Sequence, residues 1–137
     1  MFAKSMNVAK IMMVTIISAA SSGIVATFLK PIVMRTYSRR SRYDVGALCN
    51  GILAGLVAIT GVCDRCEPWS ACIIGVLGGV FYVLACKLNR LIGIDDPIEA
   101  SQVHGFGGMW GLIAVGIFDT EMGLISDNAD KGSFFGW

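Results

Sequence analysis

The chain has 137 residues, of which 55% are hydrophobic and only 15% are charged. An ordinary soluble domain carries about 25% charged residues, so this composition excludes most soluble classes and predicts an all-α integral membrane protein. The 11 basic and 10 acidic residues nearly cancel to a net charge of +1, so nothing indicates a nucleic-acid partner. The sequence has no nucleophile paired with a base, so nothing indicates an enzyme. It also has no cluster of metal ligands, so no metal site or other cofactor is expected.

Four apolar runs are separated by polar or charged turns. A helix needs about 20 mostly apolar residues to cross a hydrocarbon core of about 30 Å, and each run approaches that length. We therefore predict four transmembrane helices in one membrane domain, followed by a polar tail or loop over residues 119–137. The spans are expected at about residues 8–31, 45–63, 68–86 and 97–118.

The first span is expected to end near Pro31, where a segment rich in basic residues begins. Residues 30–42 carry one lysine and four arginines and no acidic residue. Because basic residues accumulate in cytoplasmic loops, this loop is predicted to be cytoplasmic. Seven basic residues then fall inside and four outside, so both ends of the chain, together with Asp64 and Asp127, are predicted to be non-cytoplasmic.

The second span carries glycines that are candidates for helix–helix contacts, and two polar side chains. Gly51 and Gly55 form a small-x-x-x-small pattern that allows a neighbouring helix to approach closely, and the first span has a similar small patch over residues 18–23. Asn50 and Thr60 are the conspicuous polar side chains of this run.

A C-x-x-C pair, Cys63 and Cys66, follows the second span. With one histidine in the chain and no second cysteine pair, a zinc site lacks ligands. A disulfide or redox pair is left as an alternative to two separate thiols.

Three acidic residues precede the fourth run. Asp95, Asp96 and Glu99 surround Pro97, and this pattern indicates a helix start, because carboxylates favour the positive end of a helix dipole and proline is tolerated in the first turn.

The only histidine of the chain, His104, lies inside the fourth run, and residues 100–118 contain no charged residue. An ionisable side chain at membrane depth usually faces a bundle interior or a water-filled path, so His104 is a candidate functional residue. A packing histidine that is hydrogen-bonded to a carbonyl is the other interpretation. The glycines at every third position predict close packing against a neighbouring helix: Gly105, Gly108 and Gly111.

Two stretches resemble one known family, the ammonium transporters of the Amt/Mep/Rh superfamily. Residues 50–60 (NGILAGLVAIT) resemble its eighth membrane helix, and residues 95–108 (DDPIEASQVHGFGG) resemble the start and middle of its tenth. Residues 73–79 (IIGVLGG) resemble the ninth helix and residues 11–29 the seventh. The resemblance covers about residues 8–118 and agrees with the orientation predicted from charge.

The resemblance implies a homotrimer of eleven-helix subunits, each with a pore that carries two hydrogen-bonded histidines. His104 matches the second histidine, Asn50 and Thr60 are expected to line the pore beside it, and Glu99 stands near an acidic position at the cytoplasmic end of the tenth helix. Ammonium would be recruited outside, lose a proton and pass the histidines as ammonia. The implied setting is a lipid bilayer, expected to be the plasma membrane.

The first six helices of the family and its eleventh have no counterpart here, so the chain is expected to supply most of one of two inverted repeats. We interpret it as a fragment or partial gene model of a transporter whose other helices complete the pore. The alternative is a shortened paralogue that does not transport and acts as a structural or accessory subunit of a larger membrane complex.

Overall fold

The computed structural model describes residues 8–34, 44–120 and 123–124, which are all-α apart from turns. The elements in order are α1 (Val8–Val33), α2 (Val45–Ile59), α3 (Pro68–Ile92), a π-helical segment (Ser101–Phe106) and α4 (Gly107–Phe118), which continues the π-helical segment directly. Among the described helices, α1 and α3 are long and apolar enough to cross a membrane. The described residues thus form an all-α bundle of four helices, two of which are candidate membrane spans.

Small side chains bring α1 against α2. Ser18 and Ser22 of α1 are fully buried, and their hydroxyls donate to the backbone carbonyls of Gly55 at 2.9 Å and Gly51 at 2.6 Å. These bonds satisfy the serines inside the bundle and require that the two backbones lie close together. The contact patch predicted over residues 18–23 is therefore confirmed.

The fourth helix packs against α2 and α3. The indole Nε1 of Trp110 donates to the carbonyl of Ile74 at 3.0 Å, and the Trp110 ring stacks on Phe81 with centroids 5.2 Å apart. Around Trp110 lies the larger apolar core, which is completed by Val14, Ala58, Ile59, Val62, Cys66, Ala71, Ala114 and Phe118.

Helix ends differ from the expected spans at several places. α1 continues past Pro31 to Val33, because a proline in the last turn removes one backbone donor without stopping the helix. α3 continues past Cys86 to Ile92 and ends at Gly93, whose φ of 80° is left-handed. The amides of Gly93 and Ile94 both donate to the carbonyl of Asn89, so glycine rather than the charged residues ends this helix.

α2 and the fourth helix are shorter than expected. α2 ends at Ile59, and residues 60–65 form turns where the sequence predicted four more helical residues. The fourth helix begins at Ser101 rather than at about residue 97, because Glu99 has a positive φ of 57° that no helical residue adopts.

Candidate functional site

His104 lies in the π-helical segment, and its side chain is exposed. Single π-helical turns are frequently found at functional sites. The sequence carries no signal for this turn. Within the described residues, His104 is exposed and not packed into the bundle.

An uncharged surface surrounds His104, and we call it the His104 face. Gly108 and Leu112 follow His104 on the fourth helix at one-turn spacing, and α2 has Leu53, Val57 and Thr60 at the same spacing. The two stripes meet where Val57 Cγ1 lies 4.0 Å from the position that a Cβ on Gly108 would take. Leu112 is 77% exposed and Leu53 45% exposed, so this apolar face has no cover among the described residues.

The two other predicted pore residues take different places. Thr60 is exposed at the end of α2, and its hydroxyl donates to the carbonyl of Val57 at 2.7 Å. Asn50 is half-buried, and its side-chain amide donates to Glu99 Oε2 at 2.9 Å. The structure therefore brings Thr60 to the His104 face and Asn50 to the carboxylate that precedes the fourth helix.

Glu99 accepts hydrogen bonds from three helices, and we call this group the Glu99 cluster: Lys30, Asn50, Tyr82 and Glu99. Lys30 Nζ of α1 lies 2.6 Å from Glu99 Oε1 and 2.9 Å from Tyr82 Oη. The hydroxyl of Tyr82, in α3, donates to Glu99 Oε2. The left-handed backbone of Glu99 costs about 1–3 kcal/mol and persists only when the surroundings hold it. Lys30, Asn50 and Tyr82 hold the Glu99 side chain.

Asp96 caps the first turn of the fourth helix. Its carboxylate accepts from the amides of Ala100 at 3.1 Å and Ser101 at 2.8 Å, and from the Ser101 hydroxyl at 2.7 Å. The Ser101 amide foremost, with the Ser101 hydroxyl, holds the pKa of the Asp96 carboxyl below its usual value of 3.8. Asp95, which was grouped with it from sequence, is exposed.

The predicted packing glycines divide into two groups. A Cβ on Gly51 would meet Cβ of Ala26, one on Gly55 would lie 2.6 Å from the Ser18 carbonyl, and one on Gly111 would lie 3.0 Å from the Ala58 carbonyl. These three glycines permit helix contacts. Gly105 has nothing within 4 Å of that position and Gly108 only Val57, because both belong to the open side of the fourth helix. The contact expected at Gly105 is absent from the described residues.

All five cysteines are free thiols. Cys66 is fully buried in the core, and Cys63 is half-buried, with its thiol pointing to the carbonyl of Thr60 at 3.6 Å. Burial raises the pKa of the Cys66 thiol to about 11, which makes it a poor nucleophile at neutral pH.

Comparison with known proteins decides the family. Residues 2–136 match the family model described as Ammonium Transporter Family. The chain belongs to the ammonium transporter family. It is 47% identical over 90 residues to ammonium transporter Amt2 of Archaeoglobus fulgidus, covering 65% of this chain and 19% of that protein. It is 33% identical over 124 residues to ammonium transporter 1 of Schizosaccharomyces pombe, covering 90% of this chain and 24% of that protein.

Solved structures of Mep2 have the same fold as this ammonium transporter family member. Saccharomyces cerevisiae Mep2 superposes with a TM-score of 0.71 at 34% identity, over 82% of this chain and 24% of the Mep2 chain. Candida albicans Mep2 superposes with a TM-score of 0.74 at 27% identity, over 86% of this chain and 25% of the Mep2 chain. The chain thus spans about a quarter or less of the length of these relatives.

Two features of this family member could not be found from sequence. Tyr82 was not singled out, because a tyrosine within an apolar run is indistinguishable from a packing residue until its hydroxyl has a partner. Lys30 was assigned only to a basic loop, although its side chain points back to Glu99, which lies 69 residues away. The only signal for this cluster in the sequence is a polar residue near one end of each of three helices: Lys30, Asn50 and Glu99.

Proposed function

We propose that this chain forms part of an ammonium transporter in which His104 lines the path of ammonia. The observation that carries the proposal is the exposure of His104 on an uncharged face in a member of this family. An uncharged imidazole can donate from one ring nitrogen and accept at the other. It can therefore hold a second polar partner across a pore and still contact a passing ammonia molecule.

The other parts of the proposed pore follow from the same face. Thr60 lies at its edge, at the end of α2, and Leu53, Val57 and Leu112 form an apolar wall that excludes hydrated cations. Asn50 and the carboxylates of Asp96 and Glu99 lie at the beginning of the fourth helix, and we propose that they position it rather than line the pore. The proposed cover of the His104 face is further helices, supplied by the same polypeptide or another.

The proposed setting is a plasma membrane, with the loop over residues 30–42 cytoplasmic, both ends of the chain outside, and three copies of the complete subunit forming a trimer. The basic count of the loops and the family membership support this arrangement.

The test is a His104→Ala substitution in the protein at its native length, with uptake of ¹⁵N-labelled ammonium measured in liposomes beside potassium leak. Loss of one hydrogen-bonding group in a desolvated path costs about 1–3 kcal/mol, so we expect ammonium uptake to fall by roughly 5- to 150-fold. Potassium leak is expected to rise as the selectivity of the path is lost.

Met109→Ala is the control, because Met109 is also exposed on the fourth helix but is not among the residues of the proposed pore wall. It should leave ammonium uptake within about twofold of the parent. Unchanged uptake in His104→Ala, with a less stable oligomer, would make His104 a packing residue. Absence of uptake in the parent protein itself would contradict transport and favour the accessory subunit.

A further inference from the structure

Two amide side chains, Asn89 of α3 and Gln102 of the π-helical segment, are buried against each other, and we call them the amide pair. Each residue is only 4% exposed. In the amide orientation that satisfies its neighbours, Gln102 Oε1 accepts a hydrogen bond from Asn89 Nδ2 at 3.1 Å. Burying an amide without hydrogen bonds is costly, so such a pair persists only where its donors and acceptors have partners.

The two side-chain nitrogens of the amide pair have acceptors for all of their hydrogens. Asn89 Nδ2 donates to Ser101 Oγ at 2.7 Å as well as to Gln102. Gln102 Nε2 donates to the backbone carbonyl of Glu99 at 3.1 Å and to Asp96 Oδ2 at 2.8 Å. A buried polar network whose members are all satisfied rigidifies its surroundings and specifies one arrangement.

The amide pair connects the end of α3 to the beginning of the π-helical segment. Asn89 lies in the last turns of α3, and its backbone carbonyl accepts from the amides of Gly93 and Ile94, which end that helix. The donor that holds Gln102 is therefore attached to a well-defined helix end. Because π-helical turns are rare, contacts outside the helix backbone are expected to hold this one, and the amide pair supplies such a contact.

Gln102 and His104 point to different sides of the π-helical segment. Helical residues two apart do not face each other. Gln102 is buried against α3, whereas His104 is exposed on the His104 face. A segment whose Gln102 side is held against Asn89 must therefore present its His104 side to the open face. If the contact with Asn89 were lost, nothing else in this network would keep Gln102 against α3.

We propose that the amide pair positions His104: Gln102, held by Asn89, keeps the π-helical segment in the orientation that directs the imidazole to the His104 face. Neither residue belongs to that face, since both are buried, so they are positioning residues that act through His104. The proposal goes beyond the proposed function because it makes selectivity depend on two residues away from the path. Its consequence for transport rests on the proposed role of His104.

The test compares Gln102→Met and Asn89→Leu with the parent, each at native length and labelled with ¹⁵N-histidine. Methionine and leucine fill much of the same space but cannot form the hydrogen bonds. The His104 resonances are those missing from the His104→Ala spectrum. We expect both variants to shift or broaden the ring-nitrogen resonances of His104. In liposomes, the ratio of ammonium uptake to potassium leak should fall toward the value of His104→Ala.

Ser22→Ala is the matched control, because Ser22 is also fully buried and its hydroxyl donates to the carbonyl of Gly51, between α1 and α2. It should lower the unfolding midpoint, as the two amide variants do, but leave the His104 resonances and the selectivity unchanged. Unchanged His104 resonances in both amide variants, or equal shifts in Ser22→Ala, would overturn the proposal and make the amide pair a purely structural contact.

Gln102→Asn is the milder variant for the case that the larger changes prevent folding. It keeps an amide but shortens the side chain by one methylene, so it should also shift the His104 resonances, and an unchanged spectrum would again overturn the proposal. The resonances distinguish the two proposals. Normal uptake in His104→Ala would refute the proposed function, while the spectra alone would then decide whether the amide pair positions the imidazole.

Discussion

Lys30 is a charged residue that the bundle holds almost out of solvent. Its side chain is 12% exposed and that of its partner Glu99 is 22% exposed, whereas the pair of Lys10 and Glu67 is 28% and 49% exposed. Removing one member of a largely buried pair leaves the other charge without compensation, and that costs far more than breaking a pair at the surface.

We therefore expect Lys30→Met to lower the free energy of unfolding by roughly 2–3 kcal/mol, because Glu99 loses its cation and Tyr82 one donor. Lys10→Met should lower it by less than about 1 kcal/mol, since its pair is half-exposed. Denaturant unfolding in mixed micelles measures both. Similar values for the two variants would show that the Glu99 cluster has no special role in stability.

A second residue-scale prediction compares two glycines. A Cβ on Gly55 would lie 2.6 Å from both the Ser18 carbonyl and Ser22 Cβ, whereas a Cβ on Gly105 would meet nothing within 4 Å. Gly55→Ala should therefore destabilise the helix bundle by about 1–3 kcal/mol through overpacking. Gly105→Ala should be neutral or stabilise it by up to about 1 kcal/mol. The same denaturant unfolding measurement tests both variants. A Gly55→Ala variant as stable as the parent would contradict the close contact of α1 and α2.

His104 could be singled out from the sequence as a candidate, but the position of Asn50 could not be predicted. A lone ionisable residue in an uncharged run stands out from composition alone. A polar residue near a helix end can face a pore, a neighbouring helix or a loop, and Asn50 faces Glu99, which lies 49 residues further along the chain. Such a partner depends on how the helices pack, which periodicity does not encode.

At the scale of elements, the helices could be found from hydropathy, whereas their ends could not. Gly93 was the available signal for the end of α3, but the charges at Lys87 and Arg90 suggested an earlier end. The π-helical segment over Ser101–Phe106 has no signal in the sequence.

Asp96 provides a pH-dependent prediction for the start of this helix. Its pKa is held below 3.8 in the folded protein, foremost by the Ser101 amide, so its contribution is fully present above 3.8 and is lost as pH falls through the lower folded value. We expect the hydrogen-exchange protection factor of the Ser101 amide to persist at pH 3.8 and to fall only below it.

Asp96→Asn should reduce that protection at every pH at which the Asp96 carboxyl of the parent is ionised, since a neutral amide is a weaker acceptor. Asp95→Asn is the control and should leave it unchanged, because Asp95 caps no backbone amide among the described residues. Equal protection in the parent and in Asp96→Asn would mean that the carboxylate does not determine where the helix begins.

At the scale of the whole molecule, the ion pairs of the described residues lie at the two ends of the bundle. The Glu99 cluster and Asp96 lie at one end. At the other, Lys10 Nζ lies 2.7 Å from Glu67 Oε1, and Arg65 Nη1 lies 3.5 Å from Asp119 Oδ2. Between them the helices are joined by small residues and by serine hydroxyls that donate to backbone carbonyls, as expected for a bundle surrounded by lipid.

This arrangement supports a topological prediction that lies outside the described residues. In a variant whose five native cysteines are replaced by alanine, Tyr37→Cys and Asp127→Cys are introduced one at a time. A membrane-impermeant thiol reagent applied to intact cells should label position 127 and leave position 37 unlabelled until the cells are opened, because the basic loop is expected inside. Labelling of both from the same side would contradict the orientation.

The fourth helix is attached at both of its ends. Asp96 and Glu99 hold its beginning, and the amide of Thr120 donates to the carbonyl of Arg65 at 3.2 Å just beyond its last turn. Each helical residue turns the chain by about 100° around the helix axis. Because both ends are attached, the number of residues between the two attachments determines the direction in which the His104 imidazole points around the helix axis. A one-residue deletion in this interval would rotate the ring away from the His104 face even though every side chain of the face was retained.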